Sequence, residues 1–362
     1  MRLEFPAPPL TRKRAREAAH APVVHSIEAD DLLLSPVYGR ETEREGNDLM
    51  NCGNLIKTGS AAPPTLTSLG AAVEFAESTF LDANLFFGHG TATAFDEAVY
   101  LVLHTLGLPL DELDGVWERK LSTQEMAAIQ RIIERRAVER IPAAYLTHEA
   151  WLGPFRFYID ERAIVPRSFI AELLQEELSP WIVDPDAVKS VLDLCTGSGC
   201  LAILAALVFP NAQVDAVDLS ADALQVARRN VADYELSERV HLLASDMWTA
   251  VASRQYDLII TNPPYVTGES MAALPDEYHH EPAMALASGI DGLDHVRTIL
   301  QEAPAHLNEG GLLVVEVGFN REGVEAAFPD VPFTWAEVSA GDEVVFLLTR
   351  EELVRMNPMS PA

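Results

Sequence analysis

The sequence predicts an α/β fold with a seven-stranded, mostly parallel sheet whose last strand is antiparallel, preceded by a small helical domain. From about Ala187 onward, strand-like and helix-like runs alternate, which is typical of parallel strands joined by crossover helices. Between Thr65 and about Arg140 the apolar residues instead recur at helical spacing. The last two strand-like runs are separated only by Ser339 to Asp342. This link is too short for a parallel crossover, so the two strands are expected to form an antiparallel hairpin at the sheet edge.

Seven short runs with strand-like patterns are the predicted strands of this sheet. They are Ser190–Leu194, Gln213–Asp218, Val240–Ala244, Tyr256–Thr261, Gly311–Val317, Phe333–Val338 and Glu343–Leu348. Helices are expected between them over Cys200–Phe209, Ala221–Tyr234 and Leu293–Leu307.

The chain is expected to divide into five segments. These are a disordered tail (1–62), a helical domain (63–143), an extended hairpin linker (144–168), the α/β domain (169–352) and a short tail (353–362). The first tail has no sustained helical or strand period. In the helical domain one helix is expected over about Ala94–Leu106, and another begins after the capping-box pair Ser122 and Glu125. In the linker, apolar residues alternate with more polar ones over Phe155–Ile159, which predicts a short hairpin.

The net charge, the apolar runs and the cysteine content of the chain exclude several classes of function. The 362 residues include 26 basic and 55 acidic ones, a formal net charge of −29. Such a charge repels phosphate backbones and attracts basic partners, so direct nucleic-acid binding is not expected. No apolar run reaches 18 residues, so no membrane span is expected. Three cysteines without regular spacing fit a reducing, cytoplasmic location, and no metal site is expected.

A glycine turn follows the first predicted strand of the sheet and opens a helix. Gly197 and Gly199 allow the backbone to approach a ligand at a helix N-terminus. The candidate cofactor-binding residues of this turn are Asp193, Thr196, Gly197, Ser198, Gly199 and Cys200. Because the turn also satisfies the G-x-G-x-x-A fingerprint of dinucleotide-binding proteins, it does not identify the cofactor by itself.

Two further strand ends contribute candidate cofactor residues. Asp218 ends the second strand, where a carboxylate can accept both hydroxyls of a ribose. Nicotinamide cofactors and S-adenosylmethionine both carry such a ribose, so Asp218 does not distinguish them. After the third strand, Asp246 is expected to accept a hydrogen bond from an adenine amine while Met247 packs on the ring.

The tetrapeptide Asn262-Pro263-Pro264-Tyr265 after the fourth strand carries the predicted chemistry. Two consecutive prolines fix two backbone dihedrals and remove two donors, which leaves a stiff turn rich in acceptors. The Asn262 side-chain oxygen and the Pro263 carbonyl can bind both hydrogens of a planar NH2 group, aim its nitrogen at a methyl donor and stabilise the positive charge that develops. Tyr265 is expected to pack against the planar group.

These motifs resemble those of the protein glutamine methyltransferases that modify release factors and ribosomal proteins, and the ribosomal-protein branch is the most similar. The release-factor branch has a tryptophan where Met247 stands. Besides the glycine and proline turns, the resemblance is carried by Phe87–Thr91, Asp96–Ala98, Ala144–Thr147, Val165–Ser168, Cys195–Cys200, Asp276–Pro282 and Leu286–Gly292. The resemblance implies a class I S-adenosylmethionine-dependent methyltransferase with cofactor contacts at Thr196–Cys200, Asp218 and Asn262.

The implied substrate is a glutamine side-chain amide on the third protein of the large ribosomal subunit, with a helical domain that recognises this basic protein. Four alternatives remain open at this point. A release factor is the alternative protein substrate. The exocyclic amine of adenine or cytosine is also a planar NH2 group that needs two acceptors, but an enzyme that acts on it requires a basic groove and stacking aromatic residues. A nicotinamide oxidoreductase leaves the proline turn unexplained. A non-catalytic binding protein that keeps the cofactor pocket can be excluded only by an assay.

Two more residues of these motifs receive an expectation. His89, between two glycines, is expected to be a structural or interface residue, since the chemistry above requires no base. Glu281 is expected to line the substrate cleft.

Overall fold

The computed structural model describes residues 67–356. The predicted tail 1–62 and the last six residues of the chain lie outside this range. Within residues 67–356, no helix is both long enough and apolar enough to cross a membrane.

Within residues 67–356, five helices form the N-terminal part of the structure. They are α1 (Leu69–Asp82), α2 (Ala94–Thr105), α3 (Leu113–Val116), α4 (Thr123–Ala137) and α5 (Ala143–Thr147). Hydroxyl side chains cap three of them, and Ser122 and Glu125 form the predicted capping box at the start of α4. The apolar faces of α1, α2 and α4 pack into one core around Phe80, Leu101 and Ile129.

The linker differs from the prediction at its start. Residues 144–147, predicted to be extended, belong to α5 because Pro142 precedes a run of good helix formers and Thr147 bonds back to the Ala143 carbonyl. The helix ends at His148, which adopts a left-handed conformation. The predicted hairpin then follows as antiparallel strands β1 (Glu149–Leu152) and β2 (Phe155–Tyr158).

The main sheet has seven strands in the order β5-β4-β3-β6-β7-β9-β8. The first five in this order are parallel, whereas β9 lies antiparallel between β7 and β8, so the antiparallel pair expected at the sheet edge is confirmed. The strands are β3 (Ser190–Leu194), β4 (Gln213–Asp218), β5 (Val240–Ala244), β6 (Tyr256–Thr261), β7 (Leu307–Glu316), β8 (Thr334–Trp335) and β9 (Val345–Thr349).

Three predicted strands have different bounds in the structure, and the last of them, β9, covers Val345–Thr349 rather than Glu343–Leu348. Strand β7 begins at Leu307 rather than at Gly311, because its pairing with β6 continues past an irregularity near Tyr256. Strand β8 contains two residues instead of the predicted run Phe333–Val338, because only Thr334 and Trp335 keep ladder register with β9 at the sheet edge.

Helices cover both faces of this sheet. They are α6 (Ile170–Gln175), α7 (Cys200–Val208), α8 (Ala221–Asp233), α9 (Gly268–Met271), α10 (Asp294–His306), α11 (Arg321–Ala327) and α12 (Arg350–Met356). Alternate strand residues face opposite layers, as the period of two requires. Val191, for example, packs with α6 and α7, whereas Leu192 packs with α10 and α12. Helix α12 extends past the domain end predicted at residue 352, and its Leu353 is buried in the second layer.

Buried ion pairs join the helical domain to the α/β domain. Arg136 on α4 is buried, and its Nε lies 2.6 Å from Glu97 on α2. Its Nη1 lies 3.2 Å from Glu277, which belongs to the segment between β6 and α10. Arg140 adds a second contact with Glu277 at 3.2 Å, and the Phe86 amide donates to the same carboxylate. The two domains are therefore held together by charges that are withdrawn from water.

Arg136→Met is expected to lower the free energy of unfolding by about 3–5 kcal/mol, because Glu97 would lose its guanidinium partner and Glu277 one of two in a buried site. The matched control is Arg135→Met, since the neighbouring Arg135 is half exposed and, among residues 67–356, pairs only with Glu139. The control is expected to change stability by less than about 0.5 kcal/mol. Urea unfolding of both variants measures the difference, and equal stabilities would contradict the importance assigned to these pairs.

Candidate functional site

A cavity of about 370 Å³ lies at the carboxyl ends of β3, β4, β5 and β6, as expected for ligand sites in open parallel sheets. The structure brings nine residues of the glycine turn, the two strand ends and the proline turn to its wall. They are Cys195, Gly197, Asp218, Asp246, Met247, Asn262, Pro263, Pro264 and Tyr265. The volume falls within the range of roughly 300–1,000 Å³ that is usual for sites that bind small molecules.

The glycine turn and Asp218 form one hydrogen-bonded unit. The Gly197 amide donates to Asp218 Oδ2 at 2.8 Å, and the Ser220 amide donates to Oδ1 at 2.8 Å. Burial raises the pKa of Asp218 above its usual value, although these amide donors act in the opposite direction. Since each carboxylate oxygen can accept more than one hydrogen bond, Asp218 can still receive donors from a ligand in the cavity.

The other predicted residues of the glycine turn lie behind the cavity wall. The side chains of Asp193, Thr196, Ser198 and Cys200 are buried and do not line the cavity, and neither does Gly199. Asp193 Oδ2 accepts hydrogen bonds from the Thr196 hydroxyl at 2.5 Å and the Ala202 amide at 3.0 Å. Burial raises the pKa of Asp193 to about 7. These residues therefore shape the turn, and the structure gives their side chains no part of the wall.

Close packing explains the glycine at position 199. Its φ of +81° is unfavourable for other residues, and an added Cβ would lie 3.1 Å from the Ala227 Cβ on α8. The same turn is tied to the linker by Asn230, which the sequence analysis did not identify. The Asn230 amide donates to the Ser198 carbonyl and to the Tyr158 carbonyl, and its oxygen accepts from the Tyr158 amide.

The proline turn leaves β6 with Asn262 facing the cavity. Pro263 and Pro264 are buried, which fixes the turn, whereas Asn262 and Tyr265 are half-buried. No residue in the range 67–356 forms a hydrogen bond with the Asn262 side chain. The amide of Asn262 is thus available to a ligand.

The segment after the proline turn forms a loop whose two ends are hydrogen-bonded to each other. Val266 bonds to Leu286 and Ser288, and the Gly268 amide donates to the Gly289 carbonyl. Gly292 has a φ of +78°, and a Cβ there would overlap the Tyr265 carbonyl oxygen. Only glycine allows the backbone of Tyr265 to sit against this position.

Several cavity residues were not identified from the sequence as site residues. They include Phe86, Arg167, Tyr278, His295, Glu316 and Phe319. They come from segments far apart in the chain, so no local spacing pattern indicates that they meet. Arg167 occurs in a motif that carried the family resemblance, which is the one signal that pointed to it.

The expectation that Glu281 lines the cleft is wrong. The Glu281 side chain is buried away from the cavity, and its neighbour Pro282 lies on the wall instead. Glu281 is buried behind Arg167 and forms a two-fold contact with the guanidinium at 2.7 Å for each oxygen. It also accepts the Val165 amide. The positive charge of Arg167 keeps the pKa of Glu281 low despite burial. Arg167 lies over the ring of Tyr278, so Glu281 positions two wall residues from behind.

Glu316 ends β7 and lies on the cavity wall in a buried position. Its Oε2 accepts from the Ser168 hydroxyl at 2.6 Å and from the Phe169 amide at 2.9 Å. Burial raises the pKa of Glu316 to about 7, although both donors favour the charged form. The carboxyl group therefore binds a proton well above the pH at which an exposed glutamate loses it.

Glu316→Gln is expected to gain stability relative to the parent protein as the pH rises from 5 to 8. The folded parent binds more protons than the unfolded chain between the usual glutamate pKa and about 7, so its stability falls over this range. Glutamine imitates the protonated form and does not titrate. The stability difference should change by on the order of 2–3 kcal/mol. Urea unfolding at both pH values measures it, with Glu309→Gln on the exposed part of β7 as control; parallel pH profiles would refute the assignment.

Comparisons with known proteins identify the family to which the chain belongs. A family model described as methyltransferase small domain matches residues 171–289. The protein named ribosomal protein uL3 glutamine methyltransferase from Neisseria gonorrhoeae is 57% identical to this chain, over 81% of this chain and 98% of that protein. The protein of that name from Burkholderia pseudomallei is 55% identical over 81% and 98%, and that from Bordetella pertussis is 53% identical over 80% and 97%. The expected class I methyltransferase fold is confirmed, and S-adenosylmethionine is the methyl donor. The chain belongs to the family of ribosomal protein uL3 glutamine methyltransferases.

Proposed function

We propose that this protein transfers a methyl group from S-adenosylmethionine to the side-chain amide nitrogen of a glutamine in ribosomal protein uL3. The observation that carries the proposal is the Asn262 side chain, which faces the cavity without a hydrogen-bond partner in residues 67–356. The names of relatives that are 53–57% identical over most of the chain support the choice of uL3 over a release factor.

The difficulty of the reaction is that an amide nitrogen is a poor nucleophile, because its lone pair is delocalised into the carbonyl. The Asn262 side-chain oxygen and the Pro263 carbonyl accept hydrogen bonds from the two amide hydrogens. This contact orients the nitrogen and favours the positive charge that it gains. Tyr265 packs against the planar carboxamide. No base is required, because the proton can depart after the new N–C bond has formed.

The cofactor side of the cavity fits the proposed donor. When bound, S-adenosylmethionine supplies an electrophilic methyl group on a positively charged sulfur. Asp218 offers carboxylate oxygens to ribose hydroxyls, and Asp246 offers one to the adenine amine. Met247 supplies an apolar contact for the adenine ring. Gly197 contributes the close backbone approach, while Asp193, Thr196, Ser198, Gly199 and Cys200 hold the turn in shape.

The charge of the chain supports a basic protein substrate. With a net charge of −29, the enzyme attracts a free ribosomal protein and repels a nucleic-acid backbone. An adenine or cytosine amine as substrate is therefore less well supported. The cytoplasmic location expected from the cysteine content stays a prediction.

Asn262→Ala is expected to lower kcat for methylation at least about 100-fold, because one of two acceptors for the amide hydrogens is lost. The experiment supplies methyl-labelled S-adenosylmethionine and purified ribosomal proteins and identifies the labelled peptide. The matched control is Asn211→Ala, which removes an exposed asparagine remote from the cavity. Label in nucleic acid, or undiminished label with Asn262→Ala, would reject the proposal.

The KM for the intact ribosomal protein is expected to rise when NaCl is raised from about 0.05 M to about 0.5 M, since salt screens attraction between exposed charges. A short uncharged glutamine peptide serves as the control substrate, and its KM should stay nearly constant. A KM for the intact protein that is independent of salt would contradict electrostatic capture.

A further inference from the structure

A second cavity, of about 210 Å³, lies in the N-terminal part of the molecule. Its wall is formed by the loop before α2, by α2 itself, by the region of α3 and by α5 with β1. The apolar part includes Phe95, Val99, Leu110, Leu113, Ala150 and Trp151. The volume is below the roughly 300–1,000 Å³ usual for sites that enclose small organic ligands. The cavity therefore has room for about one large side chain.

The polar groups of this cavity are predominantly acidic. Its lining includes Asp96, Asp114 and Glu149 but neither lysine nor arginine. Glu149 is already paired with Arg156, and Asp96 accepts a hydrogen bond from Thr93. Asp114 is exposed, and no residue in the range 67–356 pairs with it. An apolar pocket with an unpaired carboxylate at its rim suits an apolar side chain that is followed or preceded by a basic residue.

His89 provides a second, independent indication of a ligand. His89 is a lining residue of this cavity and is only 5% exposed. The Nε2 atom lies 3.6 Å from Glu281, which exceeds hydrogen-bond length, and Nδ1 has no partner in residues 67–356. Since a buried polar atom without a partner is costly, a backbone amide or carbonyl of a bound peptide segment that bonds to this ring would relieve the cost.

Neighbouring residues of one loop line both cavities. Phe86 and Gly88 line the catalytic cavity, whereas the next two residues, His89 and Gly90, line the second one. Consecutive Cα atoms are about 3.8 Å apart, so both cavities are within reach of a single extended segment or a neighbouring loop of one substrate. A protein that presents its glutamine to Asn262 can therefore place another side chain in the second cavity.

We propose that the second cavity binds one apolar side chain of the basic protein substrate, with an adjacent lysine or arginine of that protein paired to Asp114. This inference rests on the proposed function and adds the contact by which the helical domain selects its substrate. The cavity acts in binding, and the reacting atoms remain at Asn262.

Two exposed positions allow a test that leaves the fold and the catalytic cavity unchanged. Ala92→Trp covers the cavity with a bulky ring, and Asp114→Lys reverses the charge at its rim. The matched controls are Ala127→Trp on the exposed face of α4 and Asp111→Lys, an exposed acid three positions before Asp114. Asp111→Lys makes the same change in net charge without altering the cavity lining.

The measurements are KM and kcat for intact purified uL3, the same constants for a short peptide that contains only the target glutamine and its neighbours, and the Kd for uL3 in a binding titration without cofactor. Each cavity variant is expected to raise KM and Kd for uL3 about tenfold, equivalent to about 1.4 kcal/mol, with kcat unchanged. Neither variant should alter the constants for the short peptide, and both controls should behave like the parent protein.

The outcomes separate this inference from the function on which it rests. If the parent protein binds uL3 through the cavity but does not methylate it, the proposed function fails and the docking site stands. If methylation proceeds and both cavity variants keep the parent KM and Kd, the docking site is refuted alone. A parent dimer that Ala92→Trp converts to a monomer would identify a second copy of the chain as the occupant and would also refute the proposal.

Discussion

The pairing of two buried glutamates with arginines is the interaction on which the arrangement of the site depends. Glu277 is held by Arg136 and Arg140 of the helical domain, and Glu281 is held by Arg167 of the linker. Both glutamates are buried, and burying a carboxylate is costly unless a charged partner such as these guanidinium groups reaches it. The segment that follows the proline turn is consequently fixed to two other parts of the chain, and its Tyr278 reaches the catalytic cavity between them.

The α/β domain does not form the catalytic cavity alone. Its sheet supplies the turn at Gly197, the carboxylate of Asp218 and the acceptors at Asn262. Further wall residues come from the helical domain and linker, such as Phe86 and Arg167. Substrate selection and chemistry are therefore not separate properties of separate domains, since both sets of residues face the same space.

Most of the sheet could be predicted from the sequence because its signals are local. Four strands, Ser190–Leu194, Gln213–Asp218, Val240–Ala244 and Tyr256–Thr261, have the predicted bounds, since each is a short apolar run between turn residues. The edge strand β8 was predicted too long because its extent depends on pairing with β9, which no local pattern reports. Residues 144–147 were assigned an extended conformation although Ala144 and Leu146 favour a helix, so here a partial local signal was available and was outweighed by the alternation that follows.

The candidate site divides in the same way. Residues at strand ends, such as Asp218 and Asn262, were found because parallel strands bring their carboxyl ends to one edge. Glu316 also ends a strand, but a lone glutamate after an apolar run has no distinctive spacing. The expectation for Glu281 was wrong because its partner Arg167 is 114 positions away, and only the folded chain brings them together.

The two ends of the segment between Val266 and Ser288 are hydrogen-bonded to each other. The length of the loop between these ends therefore does not affect the geometry of the catalytic residues. Its exposed outer residues, Ala272 and Ala273, are remote from the bonds at Val266 and Gly268. Lengthening a loop whose ends are already joined costs little free energy, since the closure entropy grows only slowly with loop length. Related enzymes can therefore acquire insertions at this tip, and with them new contacts to their own substrates, while the asparagine and the two prolines stay in register.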